Sequence, residues 1–116
     1  MVGSRRLRAK KSRAKPTRFR MVDAKAETDL IATILALRTA DEVRRFLYDL
    51  CTPKEIADLS DRWWVARLLD EGELSYRDIH ARTGVSVTTI GRVARFLQQE
   101  NFQGYRLLLD RRKSSG

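Results

Sequence analysis

The residues that could do chemistry in this chain gather between Ser75 and Leu97, in the stretch SYRDIHARTGVSVTTIGRVARFL. Arg77, Arg92 and Arg95 suit phosphates or the acceptor edge of guanine, while Val87, Thr88 and Thr89 offer hydroxyl and methyl groups to polar base edges or a thymine methyl. Other chemistries are hard to assemble. His80 is the only histidine, which removes a His-based triad and any metal site needing a second imidazole; Cys51 is the only cysteine and has no disulfide partner in the chain. Acidic residues are scattered over helix starts, where they favour the positive dipole end, and no pair stands apart as acid and base. No nucleophile, base and cofactor motif come together. The chain therefore reads as a binding protein and not an enzyme, with no cofactor and no metal.

Side chains of this kind read a duplex only when a rigid element presents them. The spacing here is that of a helix-turn-helix: a short helix after Ser75, a turn at Gly84, and a second helix capped by Ser86 and running to about Gln98. A plain helical hairpin would share that spacing. Two helices crossing steeply need an apolar residue before the turn, a residue tolerant of unusual dihedrals within it, and apolar residues on the inner side of the second helix. Ile79, Gly84, Val85, Ile90 and Val93 meet those needs. The start of the second helix then faces the major groove of double-stranded DNA, which gives a predicted DNA-binding set of Arg77, Ser86, Val87, Thr88, Thr89, Arg92 and Arg95. His80 is expected to be solvated or groove-facing, with a phosphate contact as the alternative. Cys51, just ahead of a helix start, reads as a buried structural thiol, with a redox-sensing thiol as the alternative.

Upstream, further helix starts can be read from capping residues. Thr39-Ala40-Asp41-Glu42 predicts a helix through Leu50 with Val43, Phe46, Leu47 and Leu50 on one stripe. Thr52-Pro53-Lys54-Glu55 predicts a long helix to about Glu71 that stops at Gly72, and Ser75-Tyr76-Arg77-Asp78 starts the helix ending near Thr83. A first helix is expected over about 29–37, behind Thr28. In the long helix Ile56, Leu59, Trp63 and Ala66 fall on one face, which predicts core packing, and Trp64 joins Ala57, Asp61 and Leu68 on the next. A helix apolar on two sides needs two partners, so a homodimer is expected. Nothing reads as a strand.

Charge divides the chain. There are 24 Lys and Arg against 15 Asp and Glu, net +9, and residues 1–27 hold ten basic and two acidic residues, leaving fourteen against thirteen for the rest. The excess belongs to the first 27 residues, whose low apolar content predicts a disordered basic tail; 28–112 would form the helical domain and 113–116 a disordered end. Met21 offers an alternative start. The balance favours a polyanionic partner, and the alternative to DNA regulation is a basic RNA- or ribosome-associated protein that uses the tail as its main contact. No apolar run reaches the roughly 18 to 20 residues that cross a bilayer, and the basic start leads into no apolar signal region, so the expectation is a cytoplasmic protein without a membrane partner.

From about Asp29 to Arg111 the sequence resembles the Trp repressor superfamily, in particular its YerC/YecD branch. The resemblance is carried by FLYDLCTPKEIADLSDRWWVARLLDEGELSYRDI, TGVSVTTIGRVARFL and GYRLLLDR, the last being the segment that generic helix-turn-helix proteins lack. It implies an all-α, helix-turn-helix fold of Trp repressor type, an intertwined homodimer with the long helix in the dimer core, and action as a transcriptional regulator, a repressor in kind. It also implies that Arg77, Val87, Thr88 and Thr89 face DNA, and that Arg62 and Arg92 flank a bound effector and hold its carboxylate. Two positions that are small in the Trp repressor, a Gly and a Ser, are Val93 and Phe96 here. Added volume at a pocket wall excludes a ligand as large as an indole, so the departure argues against tryptophan and leaves the effector open.

Overall fold

The computed structural model describes residues 22–98 and 102–115. Most of the predicted tail, residues 1–21, lies outside them. The described residues form six helices and no strand: α1 (Ala24–Leu35), α2 (Ala40–Leu50), α3 (Pro53–Glu71), α4 (Tyr76–Thr83), α5 (Val87–Gln98) and α6 (Gly104–Ser115). The chain divides into two units, residues 1–39 and residues 40–116.

In the first unit α1 starts five residues before the expected position. The Asp23 carboxylate accepts the amides of Lys25 at 2.8 Å and Ala26 at 3.1 Å, so this residue and not Thr28 satisfies the open donors of the first turn. Residues 24–27, assigned to the tail from sequence, are therefore helical. No residue of α1 is buried, and Ile31 and Ile34 are 58 % and 50 % exposed.

In the second unit two of the capping boxes form as read. Thr52 Oγ1 accepts the Glu55 amide at 3.1 Å while the Glu55 carboxylate accepts the Thr52 amide at 2.8 Å, and Pro53 occupies the first helical position. Ser75 and Asp78 make the same reciprocal pair for α4. The helices α3 and α4 end at Gly72 and Gly84, whose φ angles of 76° and 78° are the left-handed values that glycine adopts without a Cβ penalty.

The core lies where α3, α4 and α5 meet. Val65, Ile79, Ile90 and Val93 are fully enclosed, and Ala66, Leu68, Val85, Leu97 and Leu109 complete the cluster. The long helix is used differently from the expectation: of Ile56, Leu59, Trp63 and Ala66 only Ala66 is buried, and Leu59 remains 45 % exposed. The buried residues of α3, Val65, Ala66 and Leu68, all lie in its second half, and α2, which contacts α3, buries no residue. Trp63 is half-buried against Tyr105 of α6, with ring centroids 6.4 Å apart, and Trp64 is 43 % exposed.

The C-terminal residues 113–115, expected to be disordered, continue α6. They are held from a distance in sequence: Asp70 of α3, its side chain only 11 % exposed, receives Arg106 Nη1 at 2.9 Å on one oxygen and Lys113 Nζ at 3.0 Å on the other. Arg106 also reaches Asp110 at 3.2 Å. The Lys113 hydrogen bond and then Arg106 hold the Asp70 carboxyl below its ordinary range, against the opposing effect of burial. Cys51 is half-buried, short of the full burial expected of it.

Candidate nucleic-acid interface

The turn between α4 and α5 is built from main-chain groups that side chains of α4 secure. Gly84 donates its amide to the His80 carbonyl at 2.8 Å, the Thr83 hydroxyl donates to the Ile79 carbonyl at 2.7 Å, and the same oxygen accepts the Val85 amide at 3.0 Å. His80 Nδ1 lies 2.7 Å from the Val85 carbonyl oxygen. Its ring is engaged in the turn through this nitrogen while the residue stays exposed, so the expected solvated position holds and the turn contact is added to it. Ser86 then caps α5, accepting the Thr89 amide at 3.1 Å, and its hydroxyl donates to Thr89 Oγ1 at 3.1 Å. Helix α5 buries Ile90, Val93, Ala94 and Leu97 on one side, which turns the opposite side to solvent.

The predicted DNA-binding residues fall into two groups. Arg77, Val87, Thr88, Arg92 and Arg95 are exposed, and Val87 and Thr88 occupy the first turn of α5. Ser86 and Thr89 hold each other, and Thr89 is half-buried, so their hydroxyls serve the helix start. The arginines are further organised by Phe96. Its ring carries the Arg92 guanidinium at 4.5 Å and that of Arg95 at 5.7 Å, distances at which a cation is attracted to an aromatic face. No sequence signal singled out this pairing beyond the i, i+4 spacing of Arg92 and Phe96.

Arg62 and Arg92, the expected effector pair, come together across a cleft of about 380 Å³ between α3 and the start of α5. Lys54, Asp58 and Asp61 of α3 line it with Ser86 and Thr89, and Lys54 is paired to Asp58 at 3.0 Å. The expectation that Val93 and Phe96 fill this gap is corrected: Val93 is fully enclosed in the core, and Phe96 lines a separate apolar groove of about 350 Å³ with Trp63, Tyr105 and Leu108. The side chain at 93 points inward because its position on α5 shares a face with Ile90 and Leu97.

Residues 26–113 match the family described as Trp repressor protein. The chain belongs to that family. Membership makes it a helix-turn-helix protein of the DNA-binding regulator kind, a regulatory and not an enzymatic lineage. It is 44 % identical over 86 residues to the protein YerC of Bacillus subtilis (strain 168), itself described as uncharacterized, an alignment covering 74 % of this chain and 81 % of that one. Among solved structures it is similar to a TrpR like protein from Eubacterium eligens ATCC 27750, with a TM-score of 0.73 and 40 % identity over 78 % of this chain and 91 % of the other. No helix among the described residues is long and apolar enough to cross a membrane.

Proposed function

We propose that this chain is a sequence-specific transcriptional regulator that binds double-stranded DNA as a homodimer, reading bases with the first turn of α5. The observation that carries the reading is the exposure of Val87 and Thr88 on a helix whose other side is locked into the core, with Arg77, Arg92 and Arg95 exposed around them. A helix fixed in this way holds its first-turn side chains in one orientation, which direct readout requires. Arg77, Arg92 and Arg95 take phosphates, and Ser86 and Thr89 hold the helix start.

A second copy is the partner that the exposed apolar residues call for. One protomer leaves Leu59 45 %, Trp64 43 % and Leu50 51 % exposed, and α2, although a regular helix, buries no residue of its own. The cleft between Arg62 and Arg92 is read as an effector site for a small polar ligand with a carboxylate. Its walls carry Asp58 and Asp61, which an indole would desolvate at a cost, so tryptophan is a poor fit.

Selection of bound duplexes from a random DNA pool with the purified full chain tests the proposal. The expected result is a palindromic site whose half-sites lie about one helical turn, roughly 10 bp, apart. Binding without sequence enrichment, lost steeply with salt, would instead indicate a phosphate-dominated basic protein of the RNA- or ribosome-associated kind.

A further inference from the structure

Val85 is where the chain leaves the left-handed Gly84 and enters α5, and at 6 % exposure the residue as a whole is buried, with its main-chain hydrogen bonds part-buried. Buried main-chain groups need partners, and here α4 supplies both from side chains. The amide goes to Thr83 Oγ1 at 3.0 Å and the carbonyl to His80 Nδ1 at 2.7 Å. A carbonyl oxygen can only accept, so Nδ1 carries the proton whether the ring is neutral or charged. The neutral ring is thereby fixed in the Nδ1–H tautomer, the reverse of the form free histidine favours in water.

The same residue acts twice on the turn. Its own carbonyl receives the Gly84 amide at 2.8 Å, and its ring returns a hydrogen bond to the residue after that glycine. The last turn of α4 and the peptide plane that launches α5 are thus tied together through one side chain.

We infer that His80 is a positioning residue for DNA recognition, one that never needs to touch DNA: by holding the Val85 carbonyl it sets the angle at which α5 presents Val87 and Thr88. This rests on the proposed reading of α5 as the recognition helix. Core packing of Ile79 and Ile90 keeps the two helices together, and the His80 bond selects one orientation among those the packing would allow.

Three variants of the full chain separate this role from plain stability. His80→Asn keeps an amide donor at the place of Nδ1, His80→Gln moves the nitrogen one bond outward, and His80→Leu keeps bulk without a donor. Each is measured for binding to the duplex selected by the wild type and for thermal unfolding, and the wild-type imidazole is read by ¹⁵N NMR at about pH 8, where an imidazole is ordinarily neutral. The expected result is the Nδ1–H signature, binding by the Asn variant within about twofold of wild type, and about tenfold weaker binding by the Gln and Leu variants, the scale of a buried carbonyl left without its donor. An Nε2–H signature would overturn the inference, as would wild-type affinity in the Leu variant. So would equal losses in all three that track their melting temperatures. If the wild type selects no duplex, the DNA reading fails, and the tautomer together with amide exchange at residues 87–90 in the Asn and Leu variants decides the brace separately: faster exchange in Leu alone supports it, and no difference removes it.

Discussion

The Arg92 guanidinium lies 4.5 Å from the centroid of the Phe96 ring, one helical turn further along α5. Arg95 approaches the same ring at 5.7 Å, so two arginines of α5 share a single aromatic side chain. Replacing Phe96 by Leu keeps apolar volume and removes the ring, with an expected loss of about 0.5 to 1 kcal/mol of arginine positioning, or roughly two- to fivefold in DNA affinity. Fluorescence anisotropy on the selected duplex, with melting measured alongside, checks this; undiminished affinity would show that the ring does not organise the arginines.

Asp70→Asn should lower stability by about 2 kcal/mol, because Arg106 and Lys113 lose a carboxylate that is mostly shielded from water. The folded carboxyl titrates below its ordinary value of 3.8, so its contribution is fully present above that value and is lost as pH falls through the depressed folded one. Denaturant melts between about pH 6 and pH 2 should therefore converge for wild type and variant at the acid end. A gap that stays constant with pH would mean that the network does not act through charge.

Trp64→Glu places a charge on the exposed face of α3 and is expected to split the homodimer. Light scattering at micromolar concentration should give twice the 13.4 kDa chain mass for wild type and a single or unfolded chain for the variant. A wild-type mass of one chain would remove the dimer.

Deleting residues 1–20 removes nine basic residues and no acidic one. The slope of log affinity against log salt should flatten by up to about 0.9 for each phosphate that is no longer neutralised, while the preferred sequence stays the same. An unchanged slope would show that this stretch does not touch DNA.

Free tryptophan should give no heat in calorimetry with the purified protein and no change in affinity for the selected duplex. A ligand shifts an equilibrium only through its differential affinity for the two states, and the charged cleft at Arg62 and Arg92 offers an indole little. A micromolar site, or a gain of about tenfold in affinity, would restore tryptophan as the effector.

What could be read from the sequence was what is local. The Thr52–Glu55 and Ser75–Asp78 boxes, the Ser86 cap and the two terminating glycines each depend on residues three or four apart, and each stands where it was expected. The start of α1 was missed because Thr28 and Asp23 are both acceptable caps and only the built helix distinguishes them. Periodicity was right about the core face of α3 only in its second half, where Trp63 and Ala66 meet the core; it finds apolar stripes but cannot say how far along the helix the same protomer covers them, and Leu59 stays exposed. Two features had no sequence signal at all. The Asp70–Arg106 pair joins residues 36 apart, and the His80 bond depends on a turn geometry that residue types alone do not fix.

The four largest fully enclosed core side chains, Val65, Ile79, Ile90 and Val93, come from one continuous segment of the chain. Bringing them together closes only short loops, which lowers the entropic barrier and favours rapid formation. α1 and α2 precede that segment during synthesis but bury nothing themselves, so they have little to fold against when they emerge. The chain should accordingly order itself from its middle outward, and a newly made copy would possess a finished reading head before it met its mate. On the proposed dimeric reading, the slow step would be the encounter between copies, which would set how quickly an active regulator accumulates when little of the protein is present.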